Sequence, residues 1–470
     1  MTGNRSQKSE VRKKIIVFFS VLCLLSSVFC HSAYSSFFFG HKDKKAKQQA
    51  NAMQEPTQVL ALTLEEAYRL ALGQSEDVAI KQGELDRAQG HVYQALNEIM
   101  PDVDFLMTES IQDAPRKGEG ASSGSDGVSS NFTRRTNPQK KFTLHQPIFS
   151  GFKEIAGIQG SSAEKAQKIY EKRRTEEVLL TDVVSAFYAV IHAEKDVKTL
   201  DETKNTLQER MKELKERVSL GRSRENEIQT ALSNAKQVES QLVSARSGAI
   251  IARQELEYYI GGPANQTLDD PEAAMPEPEE IDHYLNKLDS RSDVEAANQA
   301  YLLAKKNIVI AQSGLFPSAA LDGNYYTQRM GFQSGIDWDV LLSLNVPIFN
   351  GTETFGDIKV AAAEKEMAKV NFLRTKRLAR LDIHKAYEAY RSAKLEETAL
   401  KEAVEATKKD YDLQAQDYKL NLVNNLDVLA SLRDYQDLSR QWNAAHYATK
   451  IKYWQLKVAV GETMDLGNER

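Results

Sequence analysis

The chain has 470 residues, of which 27% are charged, and a formal net charge of −5 at pH 7. This length is enough for two or three ordinary domains, and the low content of glycine (24 residues) and proline (11 residues) favours long helices. The negative charge and the lack of a dense basic run with interleaved aromatic residues argue against a nucleic-acid-binding protein.

The first segment, residues 1–34, has the pattern of a secretory signal peptide. Arg12, Lys13 and Lys14 precede an apolar run at 15–29, and small residues follow. A run of this length is short for a spanning helix, although an uncleaved inner-membrane anchor is the alternative. Both cysteines of the chain lie in this segment, so the mature protein is predicted to have no disulfide and no cysteine metal site. No later segment is apolar enough for a transmembrane helix, so any further membrane crossing would have to use strands.

A polar leader, residues 35–58, precedes the first predicted repeat, residues 59–264. Thr63 is a typical N-cap, and Glu66 follows at the spacing of a capping box, so a helix is predicted to begin here. Helical periodicity then continues to Met100, where the next residue is a proline that ends it.

Two short segments of alternating polarity follow, at 102–111 and 139–149, with a Gly/Ser-rich loop between them. The pattern then predicts a long helix over 155–219 and a further helix over 225–259, each with a heptad seam of apolar residues. At 1.5 Å per residue the longer helix is a rod of roughly 97 Å. These lengths predict an extended wall of paired helices rather than a compact globule.

The whole unit occurs twice. FTLHQPIFSG at 142–151 corresponds to LSLNVPIFNG at 342–351, and this offset of 200 holds without a gap for about 110 residues. Upstream, ALNEIMPDVDF ending at Phe105 corresponds to AQSGLFPSAAL ending at Leu321, with an offset of 216. The difference in length therefore falls within the strand hairpin. The remaining predicted segments are an acidic inter-repeat linker, the second repeat and a C-terminal tail (residues 265–284, 285–462 and 463–470).

The clearest strand pattern lies in the second repeat, between Ile336 and Val346, where apolar residues alternate with mostly polar ones. About eleven residues with one apolar face are typical of a strand that crosses an outer membrane. The predicted membrane-facing side chains are Trp338, Val340, Leu342, Leu344 and Val346. The other three short segments alternate less regularly and fit a soluble hairpin equally well. Four strands cannot close a barrel, so strands in lipid would require several chains, and three chains would supply twelve strands.

In the order and spacing of these segments the chain resembles the TolC-type trimeric outer-membrane efflux and export channels. The resemblance covers residues 62–462 and rests on the paired PIF-Gly segments, on Leu-Phe-Pro at 315–317 and on YKLNLVNNLDVLAS at 418–431. It implies a mainly α fold with a small β portion, built as a tandem repeat of a strand hairpin plus long coiled helices. A trimeric 12-stranded β-barrel in the outer membrane would continue into an α-helical barrel through the periplasm.

The resemblance also implies candidate residues at the periplasmic tip. Asp427 corresponds to a position where a ring of aspartates narrows the pore, and Tyr418 to a tyrosine that helps to hold the tip shut. Glu227 is the corresponding acidic position of the first repeat. For both carboxylates, a solvated residue at a helix start is the alternative interpretation. The turns after the long helices are the expected contacts with a periplasmic adaptor, at Leu220, Gly221, Arg222, Leu420 and Asn421.

The chain departs from the family pattern at two of these tip positions. The family's second acidic ring would lie at Ala430, and the arginine of its closing network at Val423. Neither side chain can carry the charge that the family uses there.

No pattern in the sequence indicates an enzyme. The eight histidines have no metal-ligand spacing, and the Gly-rich stretch at 116–127 lacks the Lys-Ser/Thr that closes a phosphate-binding loop. We therefore predict no catalytic residue, no cofactor and no metal site.

The sequence predicts an outer-membrane channel subunit that forms the exit duct of a tripartite efflux pump or type I secretion system. It would be a passive conduit gated at its periplasmic tip. The predicted partners are further copies in a homotrimer, a periplasmic adaptor (membrane fusion) protein, an inner-membrane transporter and outer-membrane lipid. The alternative is a periplasmic coiled-coil adaptor or a structural scaffold protein of an envelope-spanning complex. An adaptor would usually interrupt one helical hairpin with a β domain, whereas here the helical unit is duplicated.

Overall fold

The structure is a computed structural model that describes residues 61–111, 113, 136–270, 275–330 and 333–464. The predicted signal peptide and leader, and most of the predicted Gly/Ser-rich loop and C-terminal tail, lie outside the described residues. Within the described ranges, none of the helices combines the length and the apolar character that a membrane-crossing helix needs.

The described part of the chain begins with a short strand and two helices: β1 (Leu62–Thr63), α1 (Leu64–Gln74) and α2 (Glu76–Asn97). Thr63 and Glu66 form the predicted capping box at the start of α1. The prediction of one continuous helix up to Met100 is wrong, because Ser75 ends α1 and caps α2 by accepting a hydrogen bond from the Val78 N–H. A serine side chain can compete in this way for a backbone donor and so divide a helical run.

The first hairpin and its helices follow as β2 (Asp102–Ile111), β3 (Thr136–Ser150), α3 (Lys153–Ser219) and α4 (Glu225–Ile260). These bounds confirm the two strands, the long helix and the further helix that the sequence predicts. With 67 residues, α3 is about 100 Å long at 1.5 Å per residue. Gly221 forms the turn after it at φ +68°, a left-handed conformation that costs glycine nothing sterically.

The predicted linker contains β4 (Leu268–Asp269) and most of α5 (Ile281–Leu285). The second repeat then comprises α6 (Ser292–Gln312), β5 (Ser318–Gln328), β6 (Trp338–Asn345), α7 (Glu353–Lys419) and α8 (Asn425–Val460). The elements α6 and β5 begin 216 residues after α2 and β2, and α7 and α8 begin 200 residues after α3 and α4. Since these are the two offsets of the sequence, the sequence repeat is also a repeat of the structure.

The strand β6 is shorter than the sequence pattern predicts. It has eight residues, so Ile336 lies before it and Val346 lies one residue beyond its end. The next residue, Pro347, has no N–H to donate to a ladder and restricts the backbone of Val346. The prediction of Val346 as a residue of the strand is therefore wrong.

The four long strands form one antiparallel sheet in the order β2-β3-β5-β6. In this order β2 and β6 are the two edge strands. Residues directly opposite each other lie on the same face of the sheet. On one face, the register aligns an apolar row across the four strands: Phe105, Phe142, Tyr325 and Trp338. On the opposite face it aligns a polar row: Asp104, Thr143, Asn324 and Asp339.

The helices pack side by side along the two long rods, with α3 against α2, α4, α6 and α8, and α7 against α6 and α8. The heptad seam predicted for α3 is buried where it meets these neighbours, as at Val183, Leu200 and Leu214. An apolar cluster lies near the C-terminal ends of the two rods, where Leu207, Leu214 and Tyr418 come together. This cluster positions the candidate site.

Candidate functional site

The C-terminal ends of the two rods, α3 and α7, and the turns that follow them form one tip of the molecule. One turn joins α3 to α4, and the other joins α7 to α8, with Asn421 at φ +59° where the first has Gly221. All five predicted adaptor-contact residues lie in these turns. Leu220 and Leu420 are each 68% exposed, so each turn presents an apolar side chain to its surroundings.

Tyr418 lies at the end of α7 and is buried at the centre of the tip. Two arginines of α3 stack on its ring, with the guanidinium carbon of Arg210 at 3.7 Å and that of Arg217 at 4.3 Å from the ring centroid. A guanidinium over an aromatic face is attracted by the ring quadrupole. The two stacks therefore fasten the first rod to the second.

The same arginines bind the turn that follows Tyr418. The Arg210 Nε donates to the Asn425 Oδ1 at 3.0 Å, and the Arg217 Nη1 donates to the Asn421 Oδ1 at 3.2 Å. Glu213 lies between the arginines and pairs with both, at 2.8 Å from Arg210 and 3.5 Å from Arg217. The position expected to supply a closing arginine is occupied by Val423, and the guanidinium groups in contact with Tyr418 come from Arg210 and Arg217 of the other rod.

Sequence reasoning missed these two arginines. Their separation of seven residues places them on one face of α3, just before the turn, and that spacing is a readable signal. Their partners lie more than 200 residues further along the chain, however, and the contact depends on the tertiary fold.

Ser223 connects the Glu227 carboxylate to the Tyr418 hydroxyl. The Ser223 Oγ donates to the Glu227 Oε2 at 2.8 Å and lies 3.5 Å from the Tyr418 hydroxyl oxygen. Two of the three predicted gate residues therefore belong to one polar cluster that joins the two turns. Two helical turns before Tyr418, burial raises the pKa of Tyr411, whose ring stacks on Tyr435, so this hydroxyl remains neutral.

Asp427 occupies a different place, in the first turn of α8. Its Oδ2 accepts from the Asn424 N–H at 3.2 Å, while the Asn424 Oδ1 accepts from the N–H groups of Leu426 and Asp427 at 2.8 Å and 3.2 Å. This is a capping box, and a carboxylate is also favoured there by the helix dipole. Within one chain Asp427 thus has the helix-start role that the sequence left as an alternative, and its side chain is exposed.

The sheet at the other end of the rods has two chemically different faces. Four of the predicted membrane-facing residues share the apolar face and are exposed in the single chain (Trp338 62%, Val340 51%, Leu342 65% and Leu344 69%). On the polar face, the Lys141 Nζ donates to the Asn324 Oδ1 and the Asn324 Nδ2 donates to the Asp339 Oδ1, both at 2.8 Å. This network crosses three strands, so the polar face is internally hydrogen-bonded.

In the part of the chain that the structure describes, no group of histidine, cysteine or carboxylate side chains is placed to hold a metal ion. The fold and the site together define a class of protein: a subunit with a duplicated hairpin and rod, a two-faced sheet at one end and a polar tip at the other.

Comparison with known proteins gives the family. The family described as Outer membrane efflux protein matches residues 67–262 and 285–462. The chain is 22% identical to the outer membrane protein TolC of Vibrio cholerae over 306 residues, which cover 61% of this chain and 68% of that protein.

Two solved structures show the same fold. The outer membrane protein VceC of Vibrio cholerae superposes with a TM-score of 0.70 at 17% identity, over 85% of this chain and 96% of that one. The open state of the MtrE outer membrane channel of Neisseria gonorrhoeae superposes with a TM-score of 0.67 at 19% identity, over 85% of this chain and 89% of that one.

The chain belongs to the outer membrane efflux protein family. It is accordingly an outer-membrane protein with a large periplasmic helical portion, and its relatives are channel proteins rather than enzymes.

Proposed function

We propose that three copies of this chain form the exit duct of an envelope-spanning transport system, a passive conduit that is gated at its periplasmic tip. The observation that carries the proposal is the two-faced sheet. Its edge strands, β2 and β6, are each paired on one side only within the described residues. Open edges are not tolerated in lipid, so a sheet with an apolar face must close with strands from other copies.

The size of a membrane barrel sets a minimum number of copies. Each chain supplies four strands, and a barrel of eight or more strands therefore needs at least two chains. Three copies give twelve strands and six long rods, and the rods with the helices packed along them would continue the barrel away from the membrane. The polar row through Asn324 and Asp339 then faces the lumen, and the row through Trp338 faces lipid.

The gate is proposed at the tip. Asp427, repeated around a threefold axis, would form a ring of carboxylates that binds cations and narrows the pore. Tyr418 and Glu227 would hold the rods together in the closed state. MtrE, whose fold this chain shares, has been solved as an open state, which supports a channel that can open and close.

The partners are proposed from the same geometry. The exposed turns at Leu220–Arg222 and at Leu420 and Asn421 would meet a periplasmic adaptor, and an inner-membrane transporter would supply the energy. The transporter would belong either to a tripartite efflux pump or to a type I secretion system. Residues 1–34 would direct export and be removed, and the two repeats, 59–264 and 285–462, would each build half of the subunit's wall.

Membrane fractionation tests this proposal against the alternative of a periplasmic adaptor or scaffold. The channel predicts that the mature chain remains in the outer-membrane fraction after alkaline washing. Recovery of the chain in a detergent-free periplasmic extract would contradict it.

A matched pair of substitutions sharpens the test. Leu342 and Leu341 are neighbours on opposite faces of β6, and both are exposed in the single chain. Leu342→Arg places a charge in lipid, at a cost of about 2–4 kcal/mol near the bilayer midplane, and should greatly reduce the outer-membrane yield. Leu341→Arg places the same charge in the lumen and should leave the yield near that of the wild type. Equal yields for the two variants would contradict the proposed orientation of the sheet.

A further inference from the structure

The polar face of the sheet differs in charge from one end to the other. Near the loop between β5 and β6, the Arg329 Nη1 lies 3.7 Å from the Asp339 Oδ2, and the guanidinium carbon lies 4.0 Å from the ring centroid of Tyr326. On β3, the Lys141 Nζ donates to Asn324 and lies 5.8 Å from the centroid of the same ring. This end of the polar face therefore contains its own cations.

The end of the polar face nearest the rods carries aspartates and one histidine. The register places His145 of β3 directly between Asp102 of β2 and Asp322 of β5. Asp104 lies two residues further along the same face of β2. The two lysines of the four strands, at 140 and 141, lie nearer to the other end. Within these strands, His145 is therefore the side chain that can supply positive charge beside the three aspartates.

His145 contacts both solvent and a carboxylate. Its Nδ1 lies 2.6 Å from the Asp322 Oδ1, so the neutral ring donates a hydrogen bond from Nδ1, and Nε2 is the nitrogen that takes up a proton. The side chain is 54% exposed in the single chain, so solvent protons reach it. Histidine is the side chain whose charge ordinarily changes between about pH 5 and 8. Protonation turns the contact with Asp322 into an ion pair.

The net charge of the polar face is small enough for one proton in each chain to change it strongly. Among the described residues, the charged side chains of this face are four aspartates and two basic side chains (Asp102, Asp104, Asp322 and Asp339; Lys141 and Arg329). Their net charge is −2 in each chain and becomes −1 when His145 is protonated. Protonation of this histidine therefore halves the fixed charge of the face, in one chain as in a ring of several copies.

We propose that His145 is a pH-dependent specificity-determining residue of the channel, at the end of the barrel lumen nearest the rods. While His145 is neutral, the excess of carboxylates favours the passage of small cations. When His145 is protonated, this preference is weakened. Fixed charges on the wall of a water-filled pore attract ions of the opposite sign, and rings of side chains set selectivity in this way. The inference rests on the proposed function, because the polar face lines a lumen only in the assembled channel.

Reversal potentials in planar lipid bilayers test this proposal. The purified full-length protein is inserted under a gradient of KCl, with both chambers at about pH 8 and then at about pH 5. The K⁺/Cl⁻ permeability ratio of the wild type should fall by about twofold, in line with the halved charge. His145→Gln keeps a donor for Asp322 but does not titrate, so its ratio should change less. A change as large as that of the wild type would overturn the inference.

A fixed positive charge at the same position provides a second variant. His145→Lys should give, at about pH 8, the permeability ratio that the wild type has at about pH 5, because the lysine is charged at both values. A ratio for His145→Lys at about pH 8 equal to that of the wild type at the same pH would contradict a role for charge at this position.

His283 offers a matched control with the same local chemistry. Its Nδ1 lies 3.1 Å from the Glu279 Oε2, but the residue belongs to α5, outside the sheet. His283→Gln should therefore respond to pH as the wild type does. A response that is lost in His283→Gln and kept in His145→Gln would assign the titrating group to another part of the chain and would contradict the inference.

Failure of this inference and failure of the channel give different results. A folded oligomer that inserts without conducting would remove the proposed function, and the role of His145 with it. Conducting channels whose permeability ratio responds to pH equally in the wild type and in His145→Gln would leave the channel standing and would remove only the role of His145.

Discussion

At the scale of residues, the tip is organised around one aromatic ring that two guanidinium groups enclose. Tyr418 is 5% exposed, and Arg210 and Arg217 use their other donors for Asn425 and Asn421. One face of α3 thus holds both the end of α7 and the start of α8. A polar cluster with this many charge-assisted contacts fixes one arrangement of the rods rather than several.

Replacing one arginine should loosen this arrangement. Arg210→Met removes the stack on Tyr418 and the hydrogen bond to Asn425, so we expect a loss of about 1–2 kcal/mol in stability. Thermal unfolding of the purified protein measures it. Lys212→Met removes the same charge from an exposed position of α3 and is the control. Equal effects of the two substitutions would mean that the enclosure of Tyr418 does not stabilise the tip.

Local chemistry determines which residues could be predicted from the sequence. The capping box of Thr63 and Glu66 was predictable because its partners are three residues apart. The departure at Val423 was also visible in the sequence, but the contacts of Arg210 and Arg217 at the tip were not, because their partners Asn425 and Asn421 come from the other repeat. For Asp427, the capping box of α8 is a local role, and only an assembly of several copies can give it a place in a pore.

At the scale of elements, the repeat supplies two versions of each structural part, and the intrachain contacts predict the contacts between chains. The hydrophobic periodicity of the sequence predicted the ends of the strands and long helices to within a few residues. The break at Ser75 was missed because one serine interrupts a helical pattern without changing its period. The early end of β6 was missed because the apolar alternation continues through Val346, past the point where Pro347 ends the ladder.

The repeat also predicts the register of the strands between copies. Leu144 of β3 pairs with Gly323 of β5, and the two offsets map this pair to Leu344 of β6 and Met107 of β2 in the next copy. Both mapped residues lie on the apolar face. Leu344→Cys with Met107→Cys should therefore form an interchain disulfide under mild oxidation, seen as linked chains on a non-reducing gel.

The control for this register is a shift of one residue. Leu106 points to the opposite face of β2, so Leu344→Cys with Leu106→Cys should not link. Linking through Leu106 instead of Met107 would place the strands in another register and would remove the basis for mapping contacts by the repeat.

At the scale of the whole molecule, the duplication would let a small number of chains surround the proposed channel. Two similar repeats give each copy two hairpins and two rods, so three copies of the proposed trimer would approximate a ring of six units. The symmetry is broken where the repeats differ. The rods carry Arg210 and Arg217 in one repeat and Asp410 and Asp417 in the other, and Glu227 and Asp427 lie in different environments at the starts of α4 and α8.

The proposed channel is tested most directly by single-channel recording of the purified oligomer in planar lipid bilayers. We predict discrete conductance steps, and a larger conductance or weaker block by multivalent cations for Asp427→Ala, because the proposed carboxylate ring is removed. Asp434→Ala, at an exposed position further along α8, should behave as the wild type. A folded oligomer that inserts into the bilayer without conducting would contradict the account.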